Sequence, residues 1–142
     1  MTTVDKPLPP IALAIAGSEA AGGAGAQTDL KTFTQLGVYG CVALTCIVSM
    51  DPKNDFDHRV VGIEPQVLLD QIEACVGVNP RIDAVKIGML GSAPTIDAVD
   101  AALETYQLPT VVLDPVLICK GQEFAGAKAV DDALRSKILP RA

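Results

Sequence analysis

Four short segments hold most of the residues whose types could do chemistry. They are GSEAAGGAG (17–25), MDPKNDFDH (50–58), GMLGS (88–92) and DPVLICKGQEFAG (114–126). Each follows an apolar run that reads as a strand, and in an open parallel sheet ligands bind outside the carboxyl ends of the strands. In the first segment Gly22, Gly23 and Gly25 let the backbone come close to a ligand, and the helix that follows aims free N–H groups at it. Anions and polar rings are the ligands such a turn suits. The spacing of Gly17, Gly22, Gly23 and Gly25 fits neither the GxxxxGK[ST] nor the GxGxxG register, so a plain tight strand-to-helix turn explains the same glycines.

The other polar residues in these segments also have ordinary readings. Ser18 and Glu19 suit a turn or a helix cap, and Asp114 in LDPV suits a cap or a turn start. His58, the single histidine, reads as an exposed loop residue. Met50, Met89 and Val116 read as core, and Asp29 and Lys31 as a solvated helix face or a structural ion pair. Cys41, Cys46 and Cys75 read as small core residues.

The elements that must position these segments follow from periodicity. Residues 1–10 hold three prolines and no pattern, which predicts a flexible tail before a strand at about 11–16. Ala26, Leu30 and Phe33 recur at helical spacing within 23–36, and Gly37 is placed as the C-cap. Val38 to Met50 is dense in branched residues and predicts a buried strand; RVVGI (59–63) is a short candidate strand. Pro65 opens a helix with Leu68, Ile72 and Cys75 on one face, and Ser92 and Pro94 open another with Ile96, Val99 and Leu103. IDAVKIGM (82–89) and TVVLDPVLI (110–118) are strands, and a last helix starts near Ala127. The alternation predicts an α/β fold, a parallel sheet between helices.

Bulk composition narrows the function class. With 142 residues, 49% of them hydrophobic, the chain reads as one globular unit, and a formal charge of -6 argues against nucleic acid or an anionic membrane as partner. Small molecules fit better. No apolar run approaches the ~18 residues of a membrane span, and MTTVDKPLPP lacks the order of a secretory signal, so the expected address is cytoplasmic. The four cysteines form no C-x-x-C pair, and one histidine leaves a zinc site short of partners, which predicts free thiols.

AGSEAAGGAGAQTDLKTF (16–33) resembles the opening signature of the hydroxymethylpyrimidine kinases and their pyridoxal kinase relatives in the ribokinase-like superfamily, usually AGSDxSGGAGIQADLKTF. The likeness continues in the same order through YGCVALTCIVSMDP, IDAVKIGML and VVLDPVLICKG, covering about residues 11–140. It implies a ribokinase-like three-layer sandwich with a mainly parallel sheet, and a kinase using ATP and Mg²⁺. Members that phosphorylate hydroxymethylpyrimidine carry a glutamine after the second strand, in a stretch such as VAQNT; here Met50 stands in VSMDPKNDFDH. The MDP, His and CKG pattern resembles pyridoxal kinases of Gram-positive bacteria.

That branch implies roles for particular residues. Ser18, Glu19, Gly25, Met50, His58, Met89 and Val116 would line the substrate ring, with Glu19 standing where the family usually has Asp. Cys119 would be a lid thiol that adds to the aldehyde of pyridoxal, with Lys120 and Gly121 on the same lid, about 117–127. Asp114 would lie near the phosphates and their Mg²⁺. Family members run to about twice this length, and their second half carries a glycine-rich turn with the activating residue and the nucleotide base pocket. Nothing in residues 127–142 resembles that turn. The expectation is therefore the N-terminal half of such a domain, 11–142, with a sheet edge left open after TVVLDPV that pairs with a second copy as a homodimer or with the other half.

Overall fold

A computed structural model describes residues 8–119, 122–123 and 126–142, with only the backbone of residues 118, 119, 122 and 123. Five strands form one sheet in the order β3-β2-β1-β4-β5: β1 (Ile11–Glu19), β2 (Tyr39–Asp51), β3 (Asp57–Gly62), β4 (Ala84–Ile87) and β5 (Val111–Leu113). Four helices connect and follow them: α1 (Gly25–Gln35), α2 (Pro65–Val78), α3 (Ala93–Thr105) and α4 (Ala127–Ala133). β1 pairs in parallel with both β2 and β4, and β4 with β5.

The alternation of strand side chains decides the layers. Ile11, Leu13 and Ile15 of β1 face one way, into a core shared with Leu68 and Ile72 of α2 and Ile96 and Val99 of α3. Leu13, Ile15, Leu68, Ile72 and Ile96 are fully buried, each worth about 1.5–3 kcal/mol of transfer free energy. Ala12, Ala14 and Ala16 face the other way and are buried beside α1, the small side chains letting that helix sit close. At Gly40 a β-carbon would meet Leu30 Cδ2 at 2.7 Å and Phe33 Cδ2 at 2.8 Å, so this position of β2 must also stay small.

Helix ends follow the expected chemistry. α1 ends with the Val38 N–H donating to the Phe33 carbonyl (2.9 Å) and the Gly37 N–H to that of Thr34 (3.1 Å), a Schellman pair. Ser92 Oγ caps α3 by accepting from the Thr95 N–H at 3.3 Å.

Four elements differ from the sequence expectation. β3 runs antiparallel to β2, because the turn between them is too short for the crossover a parallel strand requires. The run 110–118 is a strand only over Val111–Leu113; Pro115 has no N–H to continue the ladder. Beyond it β6 (Ile118–Cys119) and β7 (Gln122–Glu123) pair antiparallel as a separate ribbon. The last helix is regular only to Ala133, widens to a π-type turn over Leu134–Ile138 and tightens over Leu139–Arg141. Helix α1 starts at Gly25, two residues later than its apolar pattern suggests. Residues 1–7 of the expected tail lie outside the described residues.

Candidate functional site

The chain leaves β1 on one side of the sheet through α1 and returns to β4 on the other side of β1, so β1 and β4 flank a topological switch point. The glycine-rich turn lies at that point. β1 slips register between Ala16 and Ser18, and a β-carbon on Gly17 would come within 2.7 Å of Cys46 Sγ. Six residues after the end of β1, Gly25 folds back to bridge Ser18 with φ at +59°, and a β-carbon there would strike the Gly17 carbonyl oxygen. Gly17 and Gly25 are therefore needed for backbone to lie on backbone.

Glu19 holds the loop between them. Its carboxylate accepts from the N–H groups of Ala21 and Gly23, both at 2.7 Å, and the Glu19 N–H donates to Gln27 Oε1 at 3.0 Å. The Ala21 and Gly23 amides hold the Glu19 carboxyl below its ordinary value of 4.5. Ser18 Oγ accepts from Gln27 Nε2 at 2.7 Å, tying the same turn to the first turn of α1.

A cavity of about 190 Å³ opens beside this turn, at the carboxyl ends of β1, β4 and β5. Ala16, Gly17, Val48, Met89 and Val116 give it apolar walls, and Glu19, His58, Lys86 and Asp114 supply polar groups. The β2–β3 hairpin carries His58 to the rim, where it sits opposite Met50 in the ladder. Met89 is held by its own carbonyl, which accepts from the buried Thr45 hydroxyl at 2.6 Å. After β5 the Asp114 N–H donates to the Ile87 carbonyl (2.8 Å), which sets the Asp114 carboxylate at the mouth of the cavity.

Lys86 is the charged residue of the otherwise apolar β4. Its ammonium lies 3.1 Å from Asp29 Oδ2 on α1 and 3.8 Å from Asp114 Oδ2, with the lysine side chain 23% exposed and Asp29 15%. Gly88 makes room for it, since a β-carbon there would meet Lys86 Nζ at 2.9 Å. Asp29 anchors the cation in the layer under α1, and the cation in turn faces the exposed Asp114 across the cavity wall.

Of the residues singled out in the sequence, Glu19, Gly25, His58, Met89, Asp114 and Val116 meet in this lining. Ser18 and Met50 stand one position away from it, Ser18 in the bridge to Gly25 and Met50 opposite His58. The Cys119 side chain, Lys120 and Gly121 lie outside the described residues. Sequence reasoning missed Lys86, Val48, Ala16, Gly17 and Ala24 as lining residues. Lys86 carried a legible signal: a lone cation inside a buried strand requires a partner, and Asp29 was the carboxylate in α1. The Asp29 expectation of a structural ion pair holds; Lys31 instead donates to the Gly22 carbonyl at 2.9 Å and braces the loop.

Residues 19–142 match the phosphomethylpyrimidine kinase family. The chain is 44% identical over 131 residues to a protein named putative pyridoxine kinase of Treponema pallidum, covering 92% of this chain and 48% of that one. It is 40% identical over 130 residues to the hydroxymethylpyrimidine/phosphomethylpyrimidine kinase of Escherichia coli, again covering 92% and 48%. The fold superimposes on Bacillus subtilis pyridoxal kinase, solved as an ADP complex, with a TM-score of 0.86 at 41% identity, over 94% of this chain and 50% of that one. The chain spans about half the length of the curated relatives it matches. With the switch-point cavity, the glycine turn and these matches together, the chain belongs to the phosphomethylpyrimidine kinase family, of ribokinase-like fold.

Proposed function

We propose that this chain carries the substrate-binding half, residues 11–142, of an ATP-dependent kinase that phosphorylates the 5'-hydroxymethyl of pyridoxal, pyridoxine or pyridoxamine in cytoplasmic vitamin B6 salvage. The observation that carries the reading is the cavity itself, which joins apolar walls from Met89, Val48 and Val116 to the polar groups of His58 and Glu19 at one strand-end site. A flat heteroaromatic ring suits such walls, and a few fixed polar groups orient it. In this reading His58, on the lining, bonds a ring substituent.

Asp114 is the candidate for Mg²⁺. One carboxylate suits this ion, which keeps several waters and takes its remaining ligands from phosphate oxygens. Among the described residues no group of three or more His, Cys, Asp or Glu is gathered to hold an ion alone. MgATP, when bound, supplies the γ-phosphoryl group; Asp114 and the Lys86 ammonium beside it set the charge at the cavity mouth. The second half of the domain, which the relatives' length implies, brings the base pocket and the group that activates the hydroxyl. Cys119 belongs to the reading as the lid thiol: its sulfur adds to the aldehyde carbon and the carbonyl oxygen takes up a proton, giving a hemithioacetal with no leaving group.

A second reading keeps the site and changes the ring to hydroxymethylpyrimidine or its phosphate, in thiamine biosynthesis. The likeness to the Escherichia coli protein favours it. Calorimetric titration of the 142-residue protein with each ring separates the two. Pyridoxal is expected to bind at least about tenfold more tightly, ~1.4 kcal/mol. The opposite preference assigns the protein to the pyrimidine branch, and heat from neither ligand removes both readings.

A further inference from the structure

Cys41 and Cys75 meet on the face of the sheet that α2 covers, near the amino end of β2, whereas the cavity lies toward the carboxyl ends of the strands. Cys75 Sγ donates to the Val42 carbonyl, next in sequence to Cys41, at 3.6 Å; Cys41 Sγ has the Ala12 carbonyl at 3.6 Å. Asn79 Nδ2 spans the pair, donating to the Cys75 carbonyl at 2.6 Å and reaching Cys41 Sγ at 3.7 Å. Asn79 thus bridges the two cysteines, and the Cys75 thiol rests on the backbone next to Cys41. Both are half-buried and free, whereas Cys46 is 1% exposed.

This juxtaposition separates the two thiols chemically. The neighbouring Cys41 thiol brings the Cys75 thiol down to about 7, and Cys75 together with burial pushes the Cys41 thiol up. A lowered thiol beside a raised one is the arrangement of a nucleophile and a resolving thiol. Neither belongs to the lining of the cavity.

We propose that Cys41 and Cys75 form a modification site for peroxides, closing to an intrachain disulfide that staples α2 to β2. The Cys75 thiolate attacks one peroxide oxygen, the O–O bond breaks, and hydroxide leaves with a proton as water. The Cys41 sulfur then attacks the Cys75 sulfenic sulfur, the S–O bond breaks, and the Cys41 proton leaves with the hydroxyl as a second water. Two thiols and one hydrogen peroxide give one disulfide and two waters; the sulfurs lose the two electrons that peroxide gains. A low-molecular-weight thiol reverses the step by exchange.

The site is independent of what the cavity binds, and the test needs no ligand. The reduced 142-residue protein is treated with hydrogen peroxide at one equivalent, alkylated, and measured by intact mass and peptide mapping. The expected product has lost two hydrogens, has two fewer alkylatable thiols, joins the Cys41 and Cys75 peptides, reverts with dithiothreitol and melts at a higher temperature. C75S is expected to form no disulfide, whereas C119S forms it as the wild type does. Four alkylatable thiols after treatment, a bond from either cysteine to Cys46 or Cys119, or oxidation of Cys75 to sulfinic acid without a disulfide each overturn the proposal. The mapping of the wild-type protein decides by itself if a variant fails to fold.

Discussion

Gly25 and Glu19 show how one loop is specified residue by residue. The positive φ of Gly25 and its approach to the Gly17 carbonyl leave no room for a β-carbon, so G25A is expected to cost about 2 kcal/mol or more and to be visible as a lowered thermal midpoint. An unchanged midpoint contradicts the close approach. Glu19 acts through charge: its carboxyl is held below the ordinary 4.5 by the Ala21 and Gly23 amides, so its stabilisation is present above that pH and is lost as pH falls through the lower folded value. E19Q is therefore expected to weaken the pH dependence of stability below pH 4.5, and to speed amide exchange at Ala21 and Gly23, read by acid melts and hydrogen exchange. Identical acid melts for both proteins contradict the role. The sequence showed that glycines crowd this turn, but not which two are indispensable, because Gly17 matters through Cys46, 29 positions along the chain. It also read Glu19 as either a turn residue or a ring contact; the carboxylate is bonded to the turn and its residue lies on the lining.

The elements around the cavity are coupled by a few buried polar bonds. The Thr45 hydroxyl, 1% exposed, donates to the Met89 carbonyl and so fixes the segment after β4 against β2. T45V keeps the shape and strands that carbonyl, which predicts a loss of about 1–3 kcal/mol in chemical denaturation and weaker ligand binding through Met89. Unchanged stability contradicts it. The helices were legible because Leu68 and Ile72, or Ile96 and Val99, repeat at helical spacing, and Pro65 and Ser92 mark the starts. Strand limits were less legible. In TVVLDPVLI the apolar composition continues past Leu113, while the ladder stops where Pro115 has no donor. The direction of β3 depends on the length of its turn, which composition does not express. The Asp83 carboxylate, accepting from the Ile11 N–H and Arg81 Nε at 2.7 Å each, anchors the start of β1 across a sequence distance that no local pattern encodes.

At the scale of the whole molecule, β5 is a sheet edge paired on one side only among the described residues, and Val112 on it is 58% exposed. An open edge with an exposed branched side chain recruits another strand. We expect concentration-dependent association of the 142-residue protein in sedimentation velocity, reduced by V112K, whose charge opposes edge pairing. A monomer at every concentration contradicts that expectation. Likeness along the whole chain made the ribokinase-like architecture legible from motifs. The meeting of Lys86 with Asp29 and Asp114 required the register of β1, β4 and α1 to be in place.

The central claim, a heteroaromatic ring bound at the strand ends, is tested most directly by titrating ¹⁵N-labelled protein with pyridoxal and following amide shifts. The account predicts saturable shifts confined to Glu19, Gly25, His58, Met89 and Val116 and their neighbours, and about tenfold weaker binding in V116D, ~1.4 kcal/mol. Shifts that scatter over the surface without saturating, or that spare these residues, would contradict it.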